Sequence, residues 1–532
     1  MDAVYMIFVV LVLSSCTGEK QNTKSHDYFT ALVHMQPLIK REQMLSEYFV
    51  ELVKKQEEKL DKMEKITQDI ERVVPKEDAS QTEITEFLGN PINAMKTIQR
   101  FNDVWANMAV MFSGENTTLA KQRELKRLLS IYQRDFPTEN DVRGAIAAIF
   151  RIQDLYKISP QTFSDGFGPR AHRLIMEEIF ELGFIALGAE DYRHAKVWLR
   201  EAYERFHPEA AQIGFVDKAS LLEYLAWAEY KTGNIEQAIE LTEKVLEINP
   251  DSDSANTNIE FFEEDFAKRQ NDPKSHWQYE PPKFPWTDKY QRMCNGEEDL
   301  EPEEKKKLFC RYETPSPVFI LKPVKAEMAF SDPRIMIYHD FIRDREIDYL
   351  ENLAQKKLKR ATVHDPITGI LTYAEYRVSK SFWIREDEDV VVGTIYKRAQ
   401  ELTGLDFMFS EPLQIVNYGI GGHYVPHFDH APETHKEFKK GWRNRIATAL
   451  LYMSDVLQGG STVFVTAGKG AITKPKKGDL VFWYNLKKSG KGDDRTQHAA
   501  CPVVLGTKWV ANFWIHEYGQ EFIRRCGLNR DE

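Results

Sequence analysis

Residues 422–429 read GHYVPHFD, and residues 497–516 read QHAACPVVLGTKWVANFWIH. Successive side chains of an extended strand point to opposite faces, so His427 and Asp429 project from the same side. His498 and Lys508 follow in the second stretch, on neighbouring predicted strands. Two separated stretches thus supply the candidate functional residues of the C-terminal part of the chain.

The residue types of this set point to a metal centre. Two imidazoles and one carboxylate on one face of a metal ion leave other coordination positions open. His427, Asp429 and His498 therefore suit non-haem Fe(II) that also binds a co-substrate and dioxygen. A His-x-Asp motif alone is weak, and the specificity comes from the complete set with Lys508.

Short β-branched and aromatic runs surround the candidate metal ligands, and glycines separate them. The runs are LQIVNY (413–418), RIATALLYM (445–453), STVFV (461–465), DLVFWY (479–484) and KWVANFW (508–514). Several short strands at such spacing predict a barrel or a double-sheet jelly roll.

Three longer stretches carry a resemblance to a known family. QIVNYGIGGHYVPHFD (414–429), RIATALLYMSDVLQGGSTVF (445–464) and KKGDLVFWYNL (476–486) resemble the catalytic α-subunits of the collagen prolyl 4-hydroxylases. Those proteins are iron(II)- and 2-oxoglutarate-dependent dioxygenases. The resemblance implies a double-stranded β-helix (jelly-roll) catalytic domain over residues 332–532.

The resemblance also implies a role for each site residue. His427, Asp429 and His498 would hold Fe(II), and Lys508 would bind the distal carboxylate of 2-oxoglutarate. Lysine at this position, where much of the superfamily has arginine, is typical of the prolyl and lysyl hydroxylases. His516 matches a further family histidine that orients the reacting end of the oxo acid, although a histidine without a role is an alternative. Tyr418 is a candidate hydrogen-bond partner of the co-substrate.

The implied reaction is hydroxylation of proline at C4 in the X-Pro-Gly repeats of procollagen, with release of succinate and CO₂. L-ascorbate would restore iron oxidised in uncoupled cycles. Two rival functions stay open. One is another peptidyl prolyl or lysyl hydroxylation by the same iron set, and the other is a non-enzymatic adaptor with an inactive barrel. The intact metal and lysine set argues against the adaptor.

Size, composition and charge set outer limits on the architecture. The chain has 532 residues, 42% hydrophobic and 29% charged, which predicts several ordinary globular domains. The net charge of −11 and the absence of a basic tract give no reason to expect nucleic acid as a partner.

The N-terminus carries a targeting pattern. Residues 5–13 (YMIFVVLVL) are apolar but too few to span a bilayer, and small residues follow, so we predict a signal peptide over 1–18, with a buried strand as the alternative. No membrane span is expected elsewhere. The family resemblance implies the endoplasmic reticulum lumen. The C-terminal LNRDE is not a retention signal, which fits retention by a bound partner.

Residues 19–145 predict a helical N-terminal region. Apolar residues between 45 and 73 recur at three- and four-residue steps, which favours a coiled coil, and a helical hairpin with residues 93–112 is the alternative. The resemblance implies that this region dimerises the subunit. It implies an α₂β₂ tetramer in which protein disulfide isomerase is the β subunit. Asn116 begins the sequon NTT, a predicted glycosylation site or a chance match.

A repeat indicates a tetratricopeptide-like α-helical domain over residues 146–260, because the pattern of 182–202 recurs at 225–245. Such helix pairs stack into a concave groove, and aromatic faces suit a polyproline II ligand. The resemblance makes this the peptide-binding domain. We expect five aromatic residues to be groove candidates, with repeat core as the alternative: Tyr156, Tyr192, Tyr224, Trp227 and Tyr230.

Residues 261–331 are rich in proline and charge, which predicts a linker. After the signal peptide the cysteines are Cys294, Cys310, Cys501 and Cys526, which allow three pairings. Local pairing, Cys294 with Cys310 and Cys501 with Cys526, closes the shortest loops and is also the pairing that the resemblance implies. The whole chain is thus predicted to be a multidomain α + β protein.

Overall fold

The computed structural model of the chain describes residues 81–106, 138–206, 216–271, 287–364, 376–431 and 444–529, with isolated residues between 50 and 80, Arg127, and residues 371, 372 and 374. The chain divides into two compact units, Met1–Lys76 and Glu77–Glu532. In the first unit the described residues between 50 and 72 are helical. The predicted signal peptide, most of the predicted coiled coil and Asn116 lie outside the described residues.

The second unit starts with helices and ends with sheets, so the predicted α + β order is confirmed. Its helices are Gln81–Leu88, Pro91–Gln99, Glu139–Tyr156, Pro160–Ser164, Met176–Gly188, Tyr192–Glu204, Lys218–Lys231, Ile235–Ile248, Asp253–Asn271, Asp288–Asn295, Pro302–Lys305, Asp344–Gln355 and Val390–Thr403, with a π-helical turn at Arg100–Trp105 and 3₁₀ turns at Pro317–Phe319 and Asp494–Thr496. In the part of the chain that is described, none of these is long and apolar enough to cross a membrane.

The repeat takes the predicted helix–turn–helix form. Helices Met176–Gly188 and Tyr192–Glu204 make one antiparallel pair, Lys218–Lys231 and Ile235–Ile248 make the next, and Asp253–Asn271 packs on the second pair. Trp198 and Ala238 are fully buried between the helices. The predicted domain limits at 145/146 and 260/261 fall inside the helices Glu139–Tyr156 and Asp253–Asn271, which continue across them.

The described residues of the C-terminal domain form a large nine-stranded sheet, a small four-stranded sheet and two further sheets of two strands each. Its strands are β1 Cys310–Glu313, β2 Val324–Phe330, β3 Ile335–His339, β4 Lys359–Arg360, β5 Val363–His364, β6 Leu371–Thr372, β7 Lys380–Ile384, β8 Leu413–Tyr418, β9 Tyr424–His427, β10 Arg445–Tyr452, β11 Val456–Gly459, β12 Thr462–Phe464, β13 Ile472–Thr473, β14 Leu480–Tyr484, β15 His498–Ala500, β16 Val503–Gly506 and β17 Lys508–His516. The large sheet has the order β1-β2-β3-β14-β10-β17-β8-β7-β4, and the small sheet has the order β13-β12-β15-β9.

The large and the small sheet enclose one core. Tyr418, Tyr452 and Trp483 of the large sheet are buried in the same cluster as Phe464 and Ala499 of the small sheet. The opposite face of the large sheet packs on helices Asp344–Gln355 and Val390–Thr403. This layering leaves the mouth between the two sheets for a site, as expected for a double-stranded β-helix.

The cysteine pairing differs from the prediction. Cys294 is bonded to Cys501, and Cys310 and Cys526 are free and exposed, so the predicted local pairing is wrong. Short loops favour disulfide bonds between cysteines that are close in sequence. Here, however, the helix Asp288–Asn295 packs against the small sheet and brings Cys294 next to Cys501, which follows the end of β15. The Tyr290 hydroxyl donates to the Ala500 carbonyl at 3.5 Å in the same contact.

Candidate metal and co-substrate site

The three predicted metal ligands meet at the edge of the small sheet. His427 on β9 lies directly opposite His498 on β15, and Asp429 follows just beyond the end of β9. Asp429 Oδ1 is 3.7 Å from His427 Nε2, and Asp429 Oδ2 is 3.6 Å from His498 Nε2. The candidate ligand atoms all lie within 4.8 Å of one another. One ion can therefore contact all three side chains.

Backbone carbonyls orient both imidazoles. His427 Nδ1 is 2.8 Å from the Val425 carbonyl oxygen, and His498 Nδ1 is 3.0 Å from the Thr496 carbonyl oxygen. A carbonyl oxygen only accepts, so each Nδ1 carries the proton and each Nε2 presents a lone pair to the centre. This is the tautomer that a metal-binding histidine needs.

A chain of hydrogen bonds holds the carboxylate. The Thr448 hydroxyl donates to Asp429 Oδ2 at 2.7 Å. Asn485 donates to the Thr448 oxygen at 2.8 Å, and Trp483 Nε1 donates to the Asn485 side-chain oxygen at 2.8 Å. These residues lie on β10, on β14 and just after it, so the large sheet fixes a ligand carried by the small sheet.

The charge states also suit a cation. Burial alone would raise the pKa of the Asp429 carboxyl, but His498, His427 and Arg445 together lower it to about 2. Burial and the neighbouring His498 lower the pKa of His427 to about 3. At neutral pH the site thus holds an ionised carboxylate and a neutral His427. The donor set and its protonation fit a divalent transition metal such as Fe(II).

Lys508 lies at the base of the same cavity. It is 1% exposed, and its ammonium donates to the Gly460 carbonyl oxygen at 2.6 Å. Among the described residues no carboxylate pairs with it, and burial lowers the pKa of Lys508 to about 7. A buried amine with neutral neighbours fits an incoming anion, as the predicted 2-oxoglutarate role requires.

Tyr418 and His516 occupy different positions around the cavity. Tyr418 lines it, and burial raises the pKa of its hydroxyl to about 12, so the phenol stays protonated. His516 lies beyond the lining residues, at the far end of β17. Its Nε2 is 3.1 Å from Glu411 Oε1, and the same carboxylate binds Arg445.

Further cavity residues escape the sequence reasoning. Asn512 and Trp514 line the cavity on the same face of β17 as Lys508. Both residues lie an even number of positions after Lys508 on the same strand, so this spacing could have identified them from the sequence. Arg377 also lines the cavity, with its guanidinium 4.9 Å from the centre of the Tyr424 ring. It lies outside the strand-like runs, so no local pattern identifies it.

Four of the five predicted groove aromatics share one neighbourhood in the repeat domain. Tyr192, Tyr224, Trp227 and Tyr230 are each partly exposed at the edge of the helical core. The Lys231 ammonium lies 5.3 Å from both the Tyr192 and the Trp227 ring centres. Tyr230 stacks on Phe262 at 4.7 Å. Tyr224, Trp227 and Tyr230 thus pack on the helical core while remaining partly exposed, as Tyr192 also is.

Tyr156 is placed differently from the prediction. Its hydroxyl donates to the Pro502 carbonyl of the C-terminal domain at 2.8 Å. The aromatic pattern predicted a place for Tyr156 in the peptide groove or the repeat core, and nothing in the local sequence indicates the contact with Pro502. Tyr156 therefore belongs to the contact between the helical and the sheet parts, where Val504 and Leu505 also join the helical core.

Three family models match the chain. They are the prolyl 4-hydroxylase α-subunit N-terminal region over residues 31–169, the prolyl 4-hydroxylase peptide-substrate-binding domain over 176–268, and the 2OG-Fe(II) oxygenase superfamily over 413–516.

Relatives match over nearly full length. Prolyl 4-hydroxylase subunit alpha-1 of Rattus norvegicus is 42% identical over 95% of this chain and 96% of its own. The Homo sapiens subunit alpha-1 is 40% identical over 99% of this chain and 100% of its own. A viral collagen prolyl hydroxylase from Paramecium bursaria Chlorella virus 1, solved with 2OG, is 26% identical over 34% of this chain and 94% of its own, with a TM-score of 0.28.

Proposed function

Because the chain belongs to the prolyl 4-hydroxylase α-subunit family, we propose that it is the catalytic α subunit of a procollagen-proline 4-dioxygenase. It hydroxylates proline at C4 in X-Pro-Gly repeats and uses Fe(II), 2-oxoglutarate and dioxygen. The observation that carries this proposal is the convergence of His427, Asp429 and His498 within 4.8 Å, with the buried Lys508 in the same cavity.

The bound metal supplies the activation of dioxygen that is coupled to decarboxylation of 2-oxoglutarate and ends in hydroxylation of proline. The protein holds the metal ion and the oxo acid in position. The two Nε2 atoms and the Asp429 carboxylate hold the ion, and Thr448 keeps the carboxylate in place. Lys508 pairs with the distal carboxylate of the oxo acid inside a water-poor cavity, where the ion pair is strong.

The other predicted site residues have roles in binding the co-substrate and the peptide. Tyr418, held as a neutral phenol beside Lys508, is a hydrogen-bond donor for the co-substrate. His516 lies outside the cavity lining, so it would orient the reacting end of the oxo acid indirectly, through Glu411 and Arg445, whose guanidinium donates to the Asp429 carbonyl. Exposed ring edges of Tyr192, Tyr224, Trp227 and Tyr230 receive the proline-rich peptide, because stacking on rigid proline rings costs little entropy.

The proposal extends to the cellular setting. L-ascorbate restores iron that is oxidised in uncoupled cycles. Two α chains assemble with protein disulfide isomerase as an α₂β₂ tetramer in the endoplasmic reticulum lumen. Asn116 carries glycan in that compartment.

The test is succinate release on a (Pro-Pro-Gly) peptide by the chain co-expressed with protein disulfide isomerase. We expect iron-dependent release, with hydroxyl at proline C4 by mass spectrometry. Asp429→Ala should abolish it, whereas Asp387→Ala, at an exposed loop position, should not. Absence of turnover would favour the adaptor, and hydroxyl at C3 or on lysine would favour the other hydroxylases.

A further inference from the structure

The helix Glu139–Tyr156, here called the bridging helix, contacts two loops of the catalytic domain. Its Arg151 guanidinium donates to the Gly421 carbonyl at 2.9 Å, and its Tyr156 hydroxyl donates to the Pro502 carbonyl at 2.8 Å. Ala148 packs so closely on Gly421 that a β-carbon there would lie 3.0 Å away. The contact is therefore tight and directional.

These two loops connect the residues of the site. Residues 419–423 join Tyr418 to the strand of His427, and the segment 501–507, which begins with a loop at Pro502 and includes the short strand β16, joins the strand of His498 to Lys508. The loops are also bonded to each other, because the Val503 amide donates to the Gly422 carbonyl at 3.1 Å. A helix that fixes both loops fixes the spacing between the metal ligands and the lysine.

Tyr156 connects to Lys508 through two backbone residues, Pro502 and Gly460. The Pro502 carbonyl that accepts the Tyr156 hydroxyl also accepts the Gly460 amide at 3.1 Å. The Gly460 carbonyl in turn accepts the Lys508 ammonium at 2.6 Å. Loss of the tyrosine hydroxyl therefore acts on Gly460, the residue whose carbonyl orients the lysine.

Other residues of the bridging helix bind the first repeat. Phe150 stacks on His194 with 4.3 Å between ring centres, and Gln153 accepts a hydrogen bond from Trp198 Nε1 at 2.9 Å. Asp154 contacts His194 Nε2 at 3.1 Å. One helix thus contacts both the repeat domain and the loops of the metal site.

We propose that Arg151 and Tyr156 are positioning residues for the metal and co-substrate site, so that the helical part sets the geometry of the catalytic centre. The inference rests on the proposed function for the identity of the ligands. It predicts different effects for the two residues: Tyr156 acts on binding of the oxo acid through Gly460, and Arg151 acts on metal binding through the loop before His427.

The test for Tyr156 is binding of 2-oxoglutarate to the Co(II)-loaded full chain. Tyr156→Phe removes one hydrogen bond and should raise the Kd about five- to tenfold. The KM for a (Pro-Pro-Gly) peptide should not change. Tyr349→Phe is the matched control, because it also loses one hydroxyl bond, to Asp389 at 2.6 Å, on a helix outside the cavity.

The test for Arg151 is Co(II) affinity by equilibrium dialysis. Arg151→Gln should weaken it about tenfold, and Arg151→Lys, which keeps a donor, should restore most of it. Arg143→Gln on the same helix, where Arg143 pairs with the exposed Glu139, should have no effect.

Unchanged affinities in both variants would overturn the proposal. So would a parallel loss of metal, oxo-acid and peptide binding with a lowered Tm, since that indicates general destabilisation. If the affinities respond as expected but the wild-type chain releases no succinate, the proposed function fails and the positioning role stands.

Discussion

Lys508 lies directly opposite Tyr418 across the paired strands β17 and β8, and its ammonium is 5.1 Å from the centre of the Tyr418 ring. Tyr452 lies on its other side, at 5.7 Å. Aromatic faces and one carbonyl surround the ammonium. These surroundings stabilise a cation less than water does. The site is therefore prepared for an anion at a cost to the stability of the ligand-free protein.

The stability of the ligand-free protein should rise when this lysine is removed. Burial lowers the pKa of Lys508 from 10.5 to about 7, so the unfolded chain binds a proton between these values that the folded chain does not. Folding is thus disfavoured at pH 7 relative to alkaline pH. Lys508→Met should increase the free energy of unfolding by roughly 2–5 kcal/mol in urea and abolish 2-oxoglutarate binding. A destabilised variant would contradict this.

Binding of 2-oxoglutarate should depend on pH through the same group. Only the ammonium form pairs with the dicarboxylate, so the Kd should rise as pH increases above about 7, approaching tenfold per pH unit. Calorimetric titration of the Co(II)-loaded chain between pH 6 and 9 measures this. Lys508→Arg keeps its charge over that range and should give a flat profile, whatever its absolute affinity.

The Thr448 hydroxyl should matter for metal affinity. It donates to Asp429 and accepts from Asn485, so Thr448→Val leaves one ligand and one amide without their partner. Loss of such an outer hydrogen bond typically weakens metal binding about 10- to 100-fold. Thr448→Ser should retain affinity. Thr394→Val, which loses a hydroxyl bond on an exposed helix, should bind Co(II) normally.

The disulfide gives a direct prediction for peptide mapping. Digestion without reduction should yield a fragment that joins Cys294 to Cys501. Cys501→Ser should lower the stability by about 2–5 kcal/mol, whereas Cys526→Ser should be nearly neutral because that thiol is free and exposed. A fragment that joins Cys294 to Cys310 would contradict the structure.

The stability of the first repeat should fall at alkaline pH. Burial opposes the charged form of His194, but hydrogen bonds to Asp154 and Asp191 outweigh it and raise the pKa above 6.5. The resulting stabilisation is complete below pH 6.5 and is lost as pH rises through the higher folded pKa. The Tm of the repeat domain should fall across that window, and His194→Gln should flatten the dependence. A wild-type Tm that is constant with pH would refute this.

Local patterns predicted much of the fold and of the site. Period-two spacing predicted that His427 and Asp429 project to one centre, and they do, although β9 ends at His427 and Asp429 lies just beyond it. The recurring sequence pattern predicted the helix pairs of the repeats. What could not be predicted depends on contacts between distant segments. The Cys294–Cys501 bond needs the helix Asp288–Asn295 against the small sheet, and nothing within either segment encodes that contact. Likewise, the aromatic pattern made Tyr156 a groove candidate, but nothing near it in the sequence identifies Pro502 as its hydrogen-bond partner.

The Cys294–Cys501 bridge spans 207 residues of sequence, and this separation imposes an order on biosynthesis. Cys294 and Cys310 leave the ribosome together, long before Cys501 is translated. Cys310 is therefore available to the Cys294 thiol earlier than Cys501 is, and a chain that formed the Cys294–Cys310 bond would have to exchange it for the native one. Formation of the native bridge from such a chain would require thiol–disulfide exchange after Cys501 has been translated.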